Sequence, residues 1–102
     1  MVKEIKDTEY ETILKEGKVV IDCYAPWCGP CKMLAPVFDS LSEELTDVDF
    51  VKVDIDQSLE LAQKFGITTV PTMMIFKDGK VVDTLVGFMP KDNLKAKVQA
   101  HL

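Results

Sequence analysis

The sequence predicts an α/β domain built on a central mixed sheet of five strands flanked by four helices, in the order β-α-β-α-β-α-β-β-α. Segments whose apolar residues recur at strand period alternate with segments at helical period, which implies parallel strands joined by right-handed crossovers. Near the C-terminal end, Asp78-Gly79 stands between two β-prone runs, a hairpin signal that adds an antiparallel pair. The chain has 102 residues, 47% of them hydrophobic. That suffices for one core and leaves little for a second, so residues 1–102 are read as a single domain.

A short strand is expected over Val2 to Ile5. Asp7 or Thr8 then caps a first helix running to about Lys15, with Gly17 as its stop and Tyr10, Ile13 and Leu14 on one face. Val19 to Tyr24 is a nearly continuous apolar run, as suits a central strand covered on both faces. Met33, Leu34, Val37, Phe38, Leu41 and Leu45 recur at spacings of three and four, a helix from about Pro30 to Leu45. Pro36 has no N–H for the carbonyl of Lys32, which predicts a kink one turn in. Phe50 to Ile55 alternates at period two, and Ser58 to Phe65 reads as a helix closed by Gly66. Thr72 to Phe76 and Val81 to Val86 flank the Lys77-Asp78-Gly79-Lys80 turn, and Pro90 opens a last helix with Leu94, Val98 and Leu102 turned inward.

Twelve Lys and no Arg stand against seventeen Asp and Glu, a formal charge of −5. This balance argues against nucleic acid as a partner, since that role selects basic patches rich in Arg. The opening residues carry no apolar stretch of signal-peptide length, and no run approaches the ~18 apolar residues of a membrane span. The chain is therefore read as cytoplasmic, with no membrane partner. Three Cys is an odd number with only two closely spaced, unlike the staples of a small secreted protein. No Gly-x-Gly-x-x-Gly fingerprint is formed by Gly66, Gly79 or Gly87, so no nicotinamide or flavin cofactor is expected.

In a sheet of this kind the reactive site lies beyond the carboxyl ends of the strands. Cys28-Gly29-Pro30-Cys31 stands there, where a strand hands over to a helix. The amino end of that helix offers unpaired N–H groups and positive dipole, which favour a thiolate over a thiol and lower the pKa of the first cysteine. Cys28 is accordingly the nucleophile and Cys31, one turn further in, the more buried thiol. Gly29 leaves room beside Cys28, and Pro30 supplies a helix-ready φ while removing a donor the first turn does not use. A structural zinc site would need four ligands, and only Cys23 and His101 remain, distant in sequence and unpatterned, so no metal is expected.

Trp27-Cys28-Gly29-Pro30-Cys31-Lys32 resembles the active-site hexapeptide of the thioredoxin family residue for residue. The resemblance extends through Asp22, Pro36, Lys52, Val70-Pro71-Thr72, Lys77-Asp78-Gly79 and Gly87, almost the whole chain. It implies the thioredoxin fold and a general protein disulfide reductase: Cys28 attacks a client disulfide and Cys31 resolves the mixed disulfide. Thioredoxin reductase and disulfide-containing clients are the implied partners, and the chain is expected to act as a monomer. Cys23 and Tyr24 depart from the family, in which those positions are commonly aromatic and often Trp; Cys23 is read as a packing residue. An oxidase or isomerase on the same fold, or a binding module with an incidental dithiol, are the rival readings.

Asp22 interrupts an apolar run. It is either a strand-end residue facing water or a buried carboxyl whose pKa is raised, and the resemblance assigns it proton exchange with Cys31. Lys52 either faces solvent or, as the resemblance implies, tunes Asp22 from the neighbouring strand. The resemblance also implies a cis Val70–Pro71 bond facing the dithiol, with the Val70 backbone pairing to an extended client. Trp27 and Gly87 are rims of the same surface, the alternatives being core packing for Trp27 and a simple turn for Gly87.

Overall fold

Side chains alternate across a strand, and the second strand carries buried residues on both sides. Val19, Ile21 and Cys23 enter one apolar cluster, Val20 enters another, and Asp22 is buried beside them. This strand therefore runs through the centre of the molecule. The computed structural model describes residues 2–7, 9–15 and 17–101. Its elements are β1 Lys3–Glu4, α1 Tyr10–Ile13, β2 Lys18–Tyr24, α2 Gly29–Glu44, β3 Asp49–Asp54, α3 Leu59–Lys64, β4 Thr72–Lys77, β5 Lys80–Val86 and α4 Lys91–Ala100. The strands form one sheet in the order β1-β3-β2-β4-β5. β3 pairs in parallel with both β1 and β2, while β4 runs antiparallel to β2 and β5.

One face of the sheet packs Val20, Phe50, Met73, Ile75 and Leu85 against α2 and α4 through Leu34, Phe38, Leu41, Leu94 and Val98. The Phe38 and Phe50 rings meet edge to face, 5.2 Å apart. The other face packs Val19, Ile21, Cys23, Val53, Met74 and Phe76 against Tyr10, Leu14 and Leu61. There Phe65 stands edge-on to both Tyr10 and Phe76. Pro36 sits within α2 with its ring exposed, and the helix runs unbroken past it from Gly29 to Glu44.

The β4–β5 turn follows the sequence signal. Asp78 and Gly79 have φ of 51° and 87°, the two positive values that a type I′ turn requires. Ile75 is aligned with Asp83 and Phe76 with Val81, which leaves Val82 as an extra, bulged residue.

The first helix departs from expectation. It spans only Tyr10–Ile13, its N-cap is Glu9, and no side chain caps it. Asp7 is committed elsewhere: its Oδ1 accepts from the backbone N–H of Leu61 in the first turn of α3, at 3.1 Å. That bond replaces the cap that Ser58, the N-cap residue of α3, does not make with its own side chain. The expected alternative cap, Thr8, and the inward turn of Leu102 lie outside the described residues. Elsewhere the expected elements are present with ends displaced by a residue or two. Among the described residues no helix is long and apolar enough to cross a membrane.

Candidate active site

The dithiol is seated by the start of α2. Cys28 is the N-cap, in extended conformation, and its Sγ accepts from the backbone N–H of Cys31 at 3.2 Å. A sulfur thus occupies the place where a Ser or Asp oxygen caps an ordinary helix. The same N–H and the helix dipole stabilise negative charge on Sγ once the disulfide opens. Cys28 and Cys31 are disulfide-bonded here, with Cα atoms 5.2 Å apart. Pro30 lies in the first turn, and a Cβ on Gly29 would meet nothing within 4 Å. The surface beside the sulfur is open to an approaching backbone.

Both cysteines are only 4% exposed. The expected contrast, a more buried Cys31, is absent, because the closed ring holds the two sulfurs in one site. What separates them is the neighbour each faces. Cys28 Sγ lies 3.7 Å from the carbonyl oxygen of Val70. Cys31 instead lines a cleft of about 400 Å³ bounded by Asp22, Lys52 and Phe38.

The Val70–Pro71 bond is cis, as the resemblance implies. Gly87, with φ of 90°, donates its N–H to the carbonyl of Pro71 at 2.8 Å. It is therefore both a turn glycine and the neighbour of the Pro71 loop. Thr72 Oγ1 donates to the Thr69 carbonyl, fixing the other side of this loop.

Trp27 is 69% exposed, which excludes the core-packing alternative. Its indole Nε1 donates to Asp56 Oδ2 at 2.9 Å, and the Asp56 N–H donates to Asp54 Oδ1 at the end of β3. Asp54 and Asp56 were not anticipated. The signal was present in Asp54-Ile55-Asp56, since an Asp at a strand end commonly accepts from the N–H two residues on.

Asp22 is 4% exposed and its Oδ1 has no hydrogen-bond partner among the described residues. Burial pushes its carboxyl up to about 7, against a smaller opposing pull from the Lys52 ammonium. The water-facing alternative for Asp22 is thereby excluded. Lys52 is its direct partner in the β2–β3 register and is half-buried. Cys31, Asp22 and Lys52 thus come together on one side of the disulfide, and Trp27, Val70, Pro71 and Gly87 lie away from that cleft. Among the described residues no three His, Cys, Asp or Glu side chains gather as a metal ion would require.

A family model described as Thioredoxin matches residues 1–100. Thioredoxin of Bacillus subtilis (strain 168) is 46% identical over 97 residues, which is 94% of this chain and 93% of that protein. Thioredoxin of Listeria monocytogenes is 42% identical over 103 residues, the full length of both. A solved structure of Plasmodium falciparum thioredoxin superposes with a TM-score of 0.91 at 35% identity, covering 98% of this chain and 99% of that one.

Proposed function

This chain belongs to the thioredoxin family, and we infer from that membership and from the geometry at Cys28 that it reduces disulfide bonds in other proteins, with Cys28–Cys31 as its redox couple. The observation that carries the mechanism is the Cys28 sulfur acting as the N-cap of α2. In the reduced protein the Cys28 thiolate attacks one sulfur of a client disulfide, and the second client sulfur leaves as a thiolate that takes a proton from water. Cys31 then gives its proton to the Asp22 carboxylate and attacks Cys28 Sγ. The Cys28–client bond breaks, the client departs with both sulfurs reduced, and Cys28–Cys31 is left oxidised. Two electrons pass to the client.

Asp22 is the proton acceptor because it shares the cleft with Cys31 and titrates near neutrality. Lys52 keeps part of its population ionised. The Val70 carbonyl and the surface at Trp27, Gly29, Pro30, Pro71 and Gly87 receive an extended client segment, reading backbone shape more than sequence. Broad client tolerance follows. The oxidised protein is recharged by a thioredoxin reductase, since the chain carries no nicotinamide or flavin fingerprint of its own. We read it as a single-domain cytoplasmic monomer that binds neither nucleic acid nor membrane.

Thiol trapping tests the order of events. Cys28→Ser is expected to abolish reduction of a disulfide-bonded peptide, whereas Cys31→Ser should accumulate a covalent adduct through Cys28. Turnover by the Cys28→Ser variant would overturn the assignment.

A further inference from the structure

Glu4, Lys52 and Asp22 form one row across three strands. Glu4 of β1 is aligned with Lys52 of β3, and Lys52 with Asp22 of β2. Aligned ladder partners project from the same face of a sheet, so Lys52 stands between a buried carboxyl and an exposed one. It forms a close ion pair with neither. Tyr24 lies two residues beyond Asp22 and hence on the same face. Its ring centroid is 6.0 Å from Lys52 Nζ, and its hydroxyl donates to Glu4 Oε1 at 2.7 Å. That bond starts on β2 and ends on β1, so it passes over β3 and spans about 10 Å of sheet.

Two arrangements compete for the Glu4 carboxylate. As acceptor from Tyr24 it makes a short, charge-assisted hydrogen bond of 2.7 Å. Turned toward Lys52 it makes a surface ion pair, weakened by solvent screening and by the entropy of ordering two long side chains. The first prevails, as the geometry records. Burial and the Glu4 hydrogen bond both push the Tyr24 hydroxyl above its ordinary range, so it remains a donor at any working pH.

We propose that the Tyr24–Glu4 hydrogen bond is a strap over β3 that holds the Glu4 carboxylate away from Lys52 and so leaves the lysine's charge to Asp22. Tyr24 and Glu4 are then positioning residues for the proton step, a role that rests on the reading of Asp22 as the acceptor from Cys31. Tyr24→Phe releases the strap while keeping the ring. Glu4 becomes free to draw Lys52 outward, and Asp22 loses part of its stabilising partner. Glu4→Gln leaves an acceptor for the Tyr24 hydroxyl but removes the competing charge. The other titratable groups around the row are Cys31, Lys32 and Asp39 on α2 and Asp54 on β3. None of these is altered in either variant, so comparison between variants isolates the strap.

The experiment is a carbon-13 NMR titration of the Asp22 carboxyl in the oxidised protein, where neither active-site thiol titrates. In Tyr24→Phe the midpoint is expected to rise by about 0.5–1 pH unit, a fraction of what a full neighbouring charge commands. In Glu4→Gln it should stay level or fall, and in the double variant the rise seen in Tyr24→Phe should vanish. A Tyr24→Phe midpoint that does not move, or that rises equally with and without Glu4, overturns the strap. The pH profile of Cys31 attack on a Cys28–peptide mixed disulfide, read in the same variants, reports separately on Asp22. If the carboxyl midpoints move as expected and the kinetic midpoints do not follow, the strap stands and the proton-acceptor reading falls.

Discussion

Asp22 carries a cost that the rest of the protein meets. Burial lifts its carboxyl from an ordinary 3.8 to about 7, so between those values the folded chain holds a proton that the unfolded chain has released. The sign follows by linkage: no penalty below about pH 4, a growing one as pH rises, and the whole of it above pH 7, on the order of 4 kcal/mol. Asp22→Asn is therefore expected to stabilise the oxidised protein at pH 8 by about 1–3 kcal/mol, the shortfall being the desolvation of a buried amide. The gain should shrink toward zero near pH 4. Urea unfolding at both pH values decides it, and an equal change at each would mean that packing rather than ionisation is responsible. The same variant should flatten the rise of the Cys31 step through pH 7. Cys23 shows burial acting on a second group of the strand. Its thiol is fully buried on the opposite face and pushed up to about 12 by burial and by Asp22. Iodoacetamide on the reduced, folded protein at pH 8 should leave Cys23 unmodified while labelling Cys28, and Cys23 should react once the chain is unfolded. Early labelling of Cys23 would show that the α1–α3 face opens locally.

At the scale of elements, α3 depends on a residue more than fifty positions away. It has six residues and no side-chain cap of its own, so the Asp7 carboxylate closes one of its first-turn N–H groups. Asp7→Ala should cost about 1 kcal/mol in urea unfolding and raise amide exchange at Leu61, whereas Asp7→Asn should retain most of both. Equal losses in the two variants would place the effect on charge rather than on the hydrogen bond. This element also marks where the sequence can be read and where it cannot. The strands and α2 were legible because their apolar periodicity is local and strong, and Asp78-Gly79 was legible because both residues must take positive φ. The dithiol and its place at a helix start were legible because the Cys-Gly-Pro-Cys spacing sits between an apolar strand run and a helical run. Asp7 looked like the cap of the nearest helix. Its true partner becomes visible only when β1 joins the sheet beside β3 and brings the N-terminal segment against α3. The Trp27–Asp56 bond and the Tyr24–Glu4 strap are also tertiary facts, made between residues that no local pattern connects.

For the whole molecule, β2 is the common wall of two cores, which ties the active site to both. Leu94 and Val98 of α4 close one core over Val20, and Leu61 of α3 closes the other over Ile21 and Cys23. α4 is further held by Lys91 and Lys95 on Glu44 of α2 and by the 2.8 Å contact between His101 Nε2 and Asp83 Oδ2 of β5. Leu94 and Leu61 are each fully buried, so Leu→Ala at either is expected to cost about 2–5 kcal/mol. Because β2, β3 and β4 each send side chains into both cores, the two losses should appear in the same transition. Trp27 fluorescence, which reports the active-site rim, and far-UV circular dichroism, which reports all elements, should therefore give coincident urea curves in the parent chain and in both variants. Separate midpoints in Leu94→Ala would mean that the α2–α4 layer opens alone. The Asp22 cleft lies under that layer, between α2 and the sheet. An independent opening would admit water to Asp22 and return its carboxyl toward 3.8, abolishing its match to a thiol proton at neutral pH. Cooperative unfolding of the two cores is thus a condition for the chemistry at Cys31 as well as a property of the fold.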